Sequence, residues 1–324
     1  MQIAFAGSFA VQVAERVRAR LAHPCQVIID DELAILPRLA NVEVLVSMAF
    51  TKAMAEASRR LRLVQVPGAG LDRVERDALR PGLQLANAYG HETGIAEYIV
   101  GSMIMLARSV GRLDAKLRRG HWESQWALAA PAPPPWPELS GKTLGILGYG
   151  HIGRMLARRV RAFDMEVCAI RRRPQSLAPD GVAFVAGPER LDDVLRRADF
   201  LAITLSLTPE TRGLLDERRL QSMKRSAYLI NVARAEIVDE AALYQALASG
   251  RLAGAALDVW YRYPTAAGVT LPATQPFHEL DNVIMTPHVS GWTEGMLDAR
   301  AAVIATNIER TLRGEPPLNA VRLA

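Results

Sequence analysis

An α/β protein of two doubly wound, parallel-sheet lobes is the fold class the sequence predicts, on three observations. Short apolar runs of strand length alternate with amphipathic, helix-length runs along the whole of the 324 residues. One proline-rich stretch, Ala130-Pro-Ala-Pro-Pro-Pro-Trp-Pro137, interrupts that alternation. Close behind it a glycine-rich turn joins a strand-like run to a helix-like one.

Residues 3–6, 26–29, 44–46, 63–66 and 84–87 read as five short strands, with helical stretches such as 11–21 and 52–60 between them. These make one small lobe. A long helical segment is expected over 94–117. The proline stretch cannot continue it or form a central strand, because proline lacks an N–H and fixes φ. It is an irregular connector. The second lobe has strands at 143–147, 166–170, 200–203, 228–231, 254–257 and 283–285, with a helix at 152–162 after the first. A last helix, 294–312, ends near Gly314 with Pro316-Pro317 behind it, a stop signal. No sequence repeat relates the lobes.

The length suffices for two ordinary cores. Half the residues are hydrophobic and 23% are charged, as in soluble globular chains. The net charge of +5, Lys+Arg 39 against Asp+Glu 34, suits small anionic ligands but is spread along the chain. There is no basic stripe interleaved with aromatics, so no nucleic acid partner is expected. The longest apolar stretch, 95–107, carries Glu97 and falls short of the roughly 20 residues a membrane span needs. The first strand lacks the basic flank and apolar core of a signal peptide. A cytoplasmic protein with no membrane association is expected. Cys25 and Cys168 have no metal-ligand spacing and read as small buried side chains in a reducing compartment; no metal is expected.

The glycine turn is Gly148-Tyr-Gly-His-Ile-Gly153, a GxGxxG. One glycine makes the tight turn, one lets backbone N–H groups approach a pyrophosphate, and one lets helix pack on strand. The N–H groups of the following helix start, at His151 and Ile152, face the phosphates. Such a unit places Asp or Glu at the end of its next strand to hold the ribose 2′-hydroxyl. Here that strand, 166–170, runs into Arg171-Arg-Arg-Pro174. A carboxylate repels a 2′-phosphate and a guanidinium pairs with it, so Arg171 and Arg172 predict NADP(H) in preference to NAD(H).

Five segments together resemble the D-isomer-specific 2-hydroxyacid dehydrogenase family. They are the run from Leu139 through Gly153, Leu207-Thr-Pro-Glu-Thr-Arg-Gly213, Leu229-Ile-Asn-Val-Ala-Arg234 with the six residues after it, Ala256-Leu-Asp-Val-Trp260 and Met285-Thr-Pro-His288. The resemblance covers nearly the whole chain. It implies a Rossmann cofactor domain, 89–287, inserted into a flavodoxin-like substrate domain of 1–88 and 288–324. It also implies a homodimer built on the long helix before the connector.

The same resemblance assigns roles. Ala69 and Gly70, in the turn Gly68-Ala-Gly-Leu-Asp72, match the family's carboxylate loop. Arg234 matches the arginine that clamps the carboxylate and carbonyl oxygen of a 2-oxo acid, and His288 the general acid/base, whose ordinary pKa near 6.5 suits reversible proton transfer. Asp258 corresponds to the partner of the nicotinamide amide. Ser206 and Val232 lie at strand ends that line nicotinamide and adenosine. Trp292 either walls the substrate pocket or packs under the last helix.

One position departs from the pattern. The family usually carries a glutamate five residues beyond the aspartate of Leu-Asp-Val-Trp; here that residue is Tyr263. A phenol can orient His288 but cannot stabilise an imidazolium as a carboxylate does. The expected activity is carbonyl reduction that weakens as pH rises through a His288 pKa near or below its ordinary value. Glu97 and Glu294 are other carboxylates that could reach the histidine. The resemblance favours an NADPH-dependent reductase of small 2-oxo acids, of the glyoxylate and hydroxypyruvate kind. Formate- or phosphite-type oxidation and a dinucleotide-sensing, non-catalytic regulator are the alternatives.

Overall fold

A computed structural model describes residues 1–128, 132–174, 178, 179 and 181–321 of the chain. They form two compact units, Met1–His91 with Trp292–Ala324, and Glu92–Gly291. The chain crosses between units slightly beyond positions 88 and 287. His288 therefore belongs to the second unit, where hydrogen bonds to Asp258 tie down the residues that follow it.

In chain order the first unit holds β1 (Gln2–Ala6), α1 (Ser8–Arg18), β2 (Gln26–Asp30), β3 (Val44–Ser47), α2 (Lys52–Ala57), β4 (Leu63–Gln65) and β5 (Gln84–Ala86). The second holds α3 (Glu92–Ala107), α4 (Val110–Leu117), β6 (Thr143–Leu147), α5 (His151–Val160), β7 (Glu166–Ile170), β8 (Phe184–Ala186), α6 (Leu191–Arg197), β9 (Phe200–Ile203), α7 (Glu217–Ser222), β10 (Tyr228–Asn231), α8 (Glu240–Ala248), β11 (Gly254–Leu257) and β12 (Val283–Met285). The chain then returns to the first unit with α9 (Glu294–Leu312).

The first sheet runs β2-β1-β3-β4-β5 with every pair parallel, the flavodoxin order. Both faces are covered, which is why its strands read as continuous apolar runs. Ile3, Phe5, Val44 and Val46 meet α1 and α9, while Ala4, Leu45 and Val64 pack with Ile35, Phe50 and Met54 on the other face. Helix α1 buries Ala10, Val13, Ala14 and Val17, a three-and-four spacing that makes one apolar stripe.

The second sheet runs β12-β11-β10-β9-β6-β7-β8, again all parallel. The order reverses between β6 and β9. In such sheets ligands bind beyond the carboxyl ends of the strands at that switch, and the GxGxxG turn follows β6 there. The two faces bury separate cores, one around Leu147, Leu201, Leu229 and Trp260, the other around Ile99, Met103, Ile146 and Ile230.

Three expectations need correction. The segment 94–117 is two helices, because Ser109 takes a left-handed conformation (φ 49°) and ends the α-helical ladder with no glycine or proline to announce it. The edge strand β8 was not expected; its three residues are only half-buried and carry little apolar signal. Helix α2 stops at Ala57, short of residue 60, where Ser58 Oγ donates back to the Met54 carbonyl at 2.7 Å. Residues 130 and 131 of the connector lie outside the described residues, and 132–138 form neither helix nor strand. Among the described residues no helix is long and apolar enough to cross a membrane, and no cluster could hold a metal ion. Cys168 is buried in β7, and burial pushes its thiol up to about 11.

Helix α6 rests directly on β6 at Gly145, where a Cβ would lie 2.9 Å from Val194 Cγ1, 3.0 Å from Leu201 Cδ1 and 3.1 Å from Ala198 Cβ. All three neighbours are fully buried. Gly145→Ala is expected to destabilise the second unit by about 1–3 kcal/mol through overpacking, read as a lower midpoint in thermal unfolding. An unchanged midpoint contradicts this packing.

Candidate active site

The carboxyl end of the second sheet collects most of the residues singled out from sequence. The glycine turn comes first. Gly148 is left-handed (φ 104°), and a Cβ there would lie 2.6 Å from Leu205 N, so the residues after β9 cross directly against it. Thr204 Oγ1 fixes the crossing by donating to Gly148 O at 2.8 Å. At Gly153 a Cβ would sit 2.7 Å from Gly148 O. Gly150 is different: a Cβ there would meet nothing within 4 Å. Two of the glycines answer to internal contacts, and the third leaves an open cradle at the start of α5.

The first helical hydrogen bond of α5 is Arg154 N to Gly150 O, at 3.1 Å. The N–H groups of His151, Ile152 and Gly153 thus belong to the helix end that has no intrahelical acceptors. This cradle fits a dinucleotide pyrophosphate. At the end of β7, Arg171 is anchored by its N–H to Ala186 O at 2.8 Å and is half-buried, while Arg172 is exposed. Glu210 was not anticipated here. Its carboxyl is held low by the Thr208 hydroxyl first, then by its own backbone N–H, with a smaller contribution from the Arg172 charge. Ser206 is exposed and its carbonyl accepts from Thr211 Oγ1 at 2.9 Å; Val232 is buried.

The end of β10 is shaped by Asn231. Its Oδ1 accepts from Ala233 N and its Nδ2 donates to Arg234 O, both at 3.0 Å, which turns the chain so that Arg234 follows in extended conformation. Arg234 is half-buried, and its Nη1 donates to Ala233 O at 2.7 Å.

Asp258, after β11, is fully buried. Its Oδ1 accepts from Thr286 Oγ1 at 2.6 Å and Val289 N at 2.8 Å, and its Oδ2 from Ser290 N at 2.9 Å. Three of about four acceptor positions on the carboxylate are filled. Tyr98 OH, from α3, completes the line with a 2.7 Å bond to Thr286 Oγ1, and Trp260 Nε1 donates to Thr286 O at 2.8 Å. Since the Thr286 hydroxyl proton goes to Asp258, Tyr98 is the donor to Thr286. This clamp closes the turn that carries His288, whose backbone is left-handed (φ 60°). Tyr98 and Thr286 were not singled out from sequence.

Tyr263 does reach the histidine: its hydroxyl lies 2.8 Å from His288 Nδ1. Among the described residues His288 hydrogen-bonds no carboxylate, and Glu97 pairs with Arg159 at 3.2 Å. His288 is accessible to solvent, yet the surrounding protein removes enough water to push its pKa below the ordinary value. The Asp258 charge opposes that shift and the Arg234 charge adds to it.

In the first unit, Ala69 and Gly70 are half-buried, and neither backbone N–H bonds another described residue. The turn is held by Asn87 Nδ2 donating to Ala69 O and by Ala88 N donating to Gly68 O, both at 3.0 Å. Trp292 is 42% exposed and sets its ring edge-on to Phe9, with centroids 5.4 Å apart.

Comparison with known proteins matches residues 100–290 to the family described as D-isomer specific 2-hydroxyacid dehydrogenase, NAD binding domain. The chain is 33% identical over 292 residues to a glyoxylate reductase of Thermofilum pendens, covering 87% of this chain and 82% of that protein. It is also 33% identical over 297 residues to a D-3-phosphoglycerate dehydrogenase of Methanocaldococcus jannaschii, covering 89% of this chain but only about half (53%) of that longer protein. A D-isomer specific 2-hydroxyacid dehydrogenase from Xanthobacter autotrophicus Py2, solved with NADPH and MES, superposes with a TM-score of 0.79 at 26% identity, covering 99% of this chain and 97% of that one.

The clamp has a direct test. In Asp258→Asn an amide N–H must face a backbone or hydroxyl donor, at a cost of about 1–3 kcal/mol. The variant also removes the charge that raises the His288 pKa. It is expected to unfold earlier and to titrate His288 at a lower pH than the wild type, followed on the imidazole C–H proton by NMR. Unchanged stability together with an unchanged titration contradicts the clamp.

Proposed function

The chain belongs to the D-isomer specific 2-hydroxyacid dehydrogenase family, and we propose that it reduces small 2-oxo acids of the glyoxylate and hydroxypyruvate kind, with NADPH in preference to NADH. The observation that carries the reading is that Arg234 and His288 follow the carboxyl ends of β10 and β12 in one sheet, with the Tyr263 hydroxyl 2.8 Å from His288 Nδ1. That combination suits an acid anion with a reducible carbonyl. Relatives named glyoxylate reductase support the substrate class, and the NADPH-bound Xanthobacter relative supports the cofactor.

In this reading Gly148, Gly150, His151, Ile152 and Gly153 hold the pyrophosphate. Arg171 pairs with the 2′-phosphate and Arg172 adds charge beside it. Ser206 and Val232 lie at strand ends that line nicotinamide and adenosine. The fully buried Asp258, which the resemblance assigns to the nicotinamide amide, acts instead through the turn that it holds. The bound cofactor supplies the hydride. Arg234 clamps the substrate carboxylate and polarises its carbonyl. In the first unit, the N–H groups of Ala69 and Gly70 suit a carboxylate. Protonated His288 delivers a proton from Nε2 to the carbonyl oxygen as negative charge develops there. Because the His288 pKa is depressed, the protonated fraction is already falling as pH approaches neutrality, and reduction weakens as pH rises. The edge contact with Phe9 favours a packing role for Trp292 over a wall of the pocket.

A homodimer belongs to the same proposal. Trp122, Trp126 and Leu128 are 58%, 87% and 101% exposed, and Val110 and Leu117 of α4 are exposed as well. Exposed large apolar side chains of this kind suit burial against a second copy of the chain.

The test is initial rates of NADPH and NADH oxidation against glyoxylate, hydroxypyruvate and larger 2-oxo acids at about pH 6, below the ordinary histidine pKa. NADPH is expected to be preferred. Arg171→Asp is expected to weaken NADPH binding about 10–100-fold, the scale of one charge-assisted hydrogen bond, and to spare NADH. An NADH preference in the wild type, or turnover of none of the acids, overturns the reading. Sedimentation of a monomer at micromolar concentration overturns the dimer.

A further inference from the structure

When His288 is neutral, the contacts of the Tyr263 hydroxyl favour one direction for the hydrogen bond between them. The phenolic oxygen already accepts from Trp260 N at 3.4 Å. Among the described residues the acceptor available to its single proton is His288 Nδ1, at 2.8 Å. A phenol is also a stronger donor than the N–H of a neutral imidazole. Burial keeps that phenol protonated: it pushes the Tyr263 pKa up, as do the charges of Asp258 and Glu236, against the lowering effects of the Trp260 N–H and the Arg234 charge. The charged groups bearing on the imidazole are Asp258 after β11 and Arg234 after β10; Tyr263 is its hydrogen-bond partner.

We infer that Tyr263 is a positioning residue that donates to His288 Nδ1 and so keeps a proton on Nε2 whether or not the ring is charged. A carboxylate at this position does the opposite. It accepts Nδ1–H, so that the neutral ring presents a bare Nε2 lone pair. With Tyr263, the nitrogen left for substrate is a donor in both states, and it holds a carbonyl oxygen even when it has no proton to give away. Binding of a 2-oxo acid is thereby uncoupled from proton delivery. The neutral ring is correspondingly poor at accepting the hydroxyl proton of a 2-hydroxy acid, since Nε2 must first lose its own. When the ring is protonated, the phenolic oxygen takes Nδ1–H on its second lone pair, and no covalent change at Tyr263 is needed.

The consequence for substrate rests on the proposed reductase function; the tautomer does not. Long-range proton–nitrogen NMR on protein labelled at its six histidines reads the tautomer without any turnover. His288 is identified by the resonances lost in His288→Gln. At about pH 8, above the ordinary histidine pKa, the wild type is expected to show Nε2 protonated and Nδ1 bare. Tyr263→Phe is expected to show a mixture, and Tyr263→Glu the reverse tautomer. A bare Nε2 in the wild type, or the same pattern in wild type and Tyr263→Phe, overturns the inference. Oxamate, a stable 2-oxo acid analogue, then tests the substrate arm on the NADPH-bound enzyme. Its affinity is expected to fall only slightly in the wild type as the ring loses its charge, because the Nε2–H bond stays while its charge assistance goes. In Tyr263→Glu it is expected to fall about tenfold over the same titration, the weight of one ordinary hydrogen bond. An equal fall in both proteins overturns the uncoupling. Failure of oxamate to bind with the expected tautomer intact counts against the reductase reading alone.

Discussion

The buried carboxylate of Asp258 is the interaction on which the chemistry of the second unit depends. An ionised carboxylate inside a protein is costly unless its lone pairs are filled. Here the donors come from the turn that follows β12: Thr286 Oγ1, Val289 N and Ser290 N. The need to satisfy the carboxylate therefore dictates the path of the chain through His288. The left-handed backbone at His288 is a strained choice for a residue with a Cβ. It persists because the hydrogen bonds on either side over-determine it. Trp260 and Tyr98 brace Thr286 from β11 and α3, so the turn is tied to two neighbouring elements as well.

Electrostatics at the same sheet end pull in opposed directions. Desolvation and the Arg234 charge both favour neutral His288, and the Asp258 charge favours the protonated ring. The first two prevail. A glutamate beside Nδ1 would tip this balance toward the imidazolium, and Tyr263 leaves it where it is. The sheet end thus combines the Arg234 cation with a histidine that gives up its charge readily. Around the glycine turn the logic is steric. Gly148 and Gly153 are dictated by backbone contacts at 2.6 and 2.7 Å, whereas Gly150 faces open space. In the proposed function that open position is the one a pyrophosphate approaches.

Much of this was legible in the sequence, for identifiable reasons. Strands buried on both faces are uninterrupted apolar runs, so β6, β7, β9, β10 and β11 could be bounded to the residue, and the half-buried edge strand β12 was bounded by its own short apolar run Val283-Ile-Met285. Edge strand β8 was missed, its three half-buried residues Phe184-Val-Ala186 giving too short a signal. The break at Ser109 is a backbone conformation that no residue type there demands. In the site, the contact of Tyr263 with His288 was anticipated from the family resemblance, which puts the histidine's partner at that position. The clamp was not, since Asp258, Thr286 and Tyr98 are far apart in the chain and become one network only when β11, β12 and α3 are packed together. Local motifs name residues that meet a ligand; the residues that hold them in place are set by tertiary contacts.

Hydride transfer to a 2-oxo carbonyl carbon is the central claim, and isotope transfer tests it most directly. Glyoxylate is incubated with the enzyme and NADPH deuterated at C4, each face in turn, and the product is analysed by mass spectrometry and NMR. The account predicts glycolate carrying one deuterium at C2 from one cofactor face and none from the other. Oxidation of NADPH without deuterium in the product, or glycolate labelled equally from both faces, contradicts it.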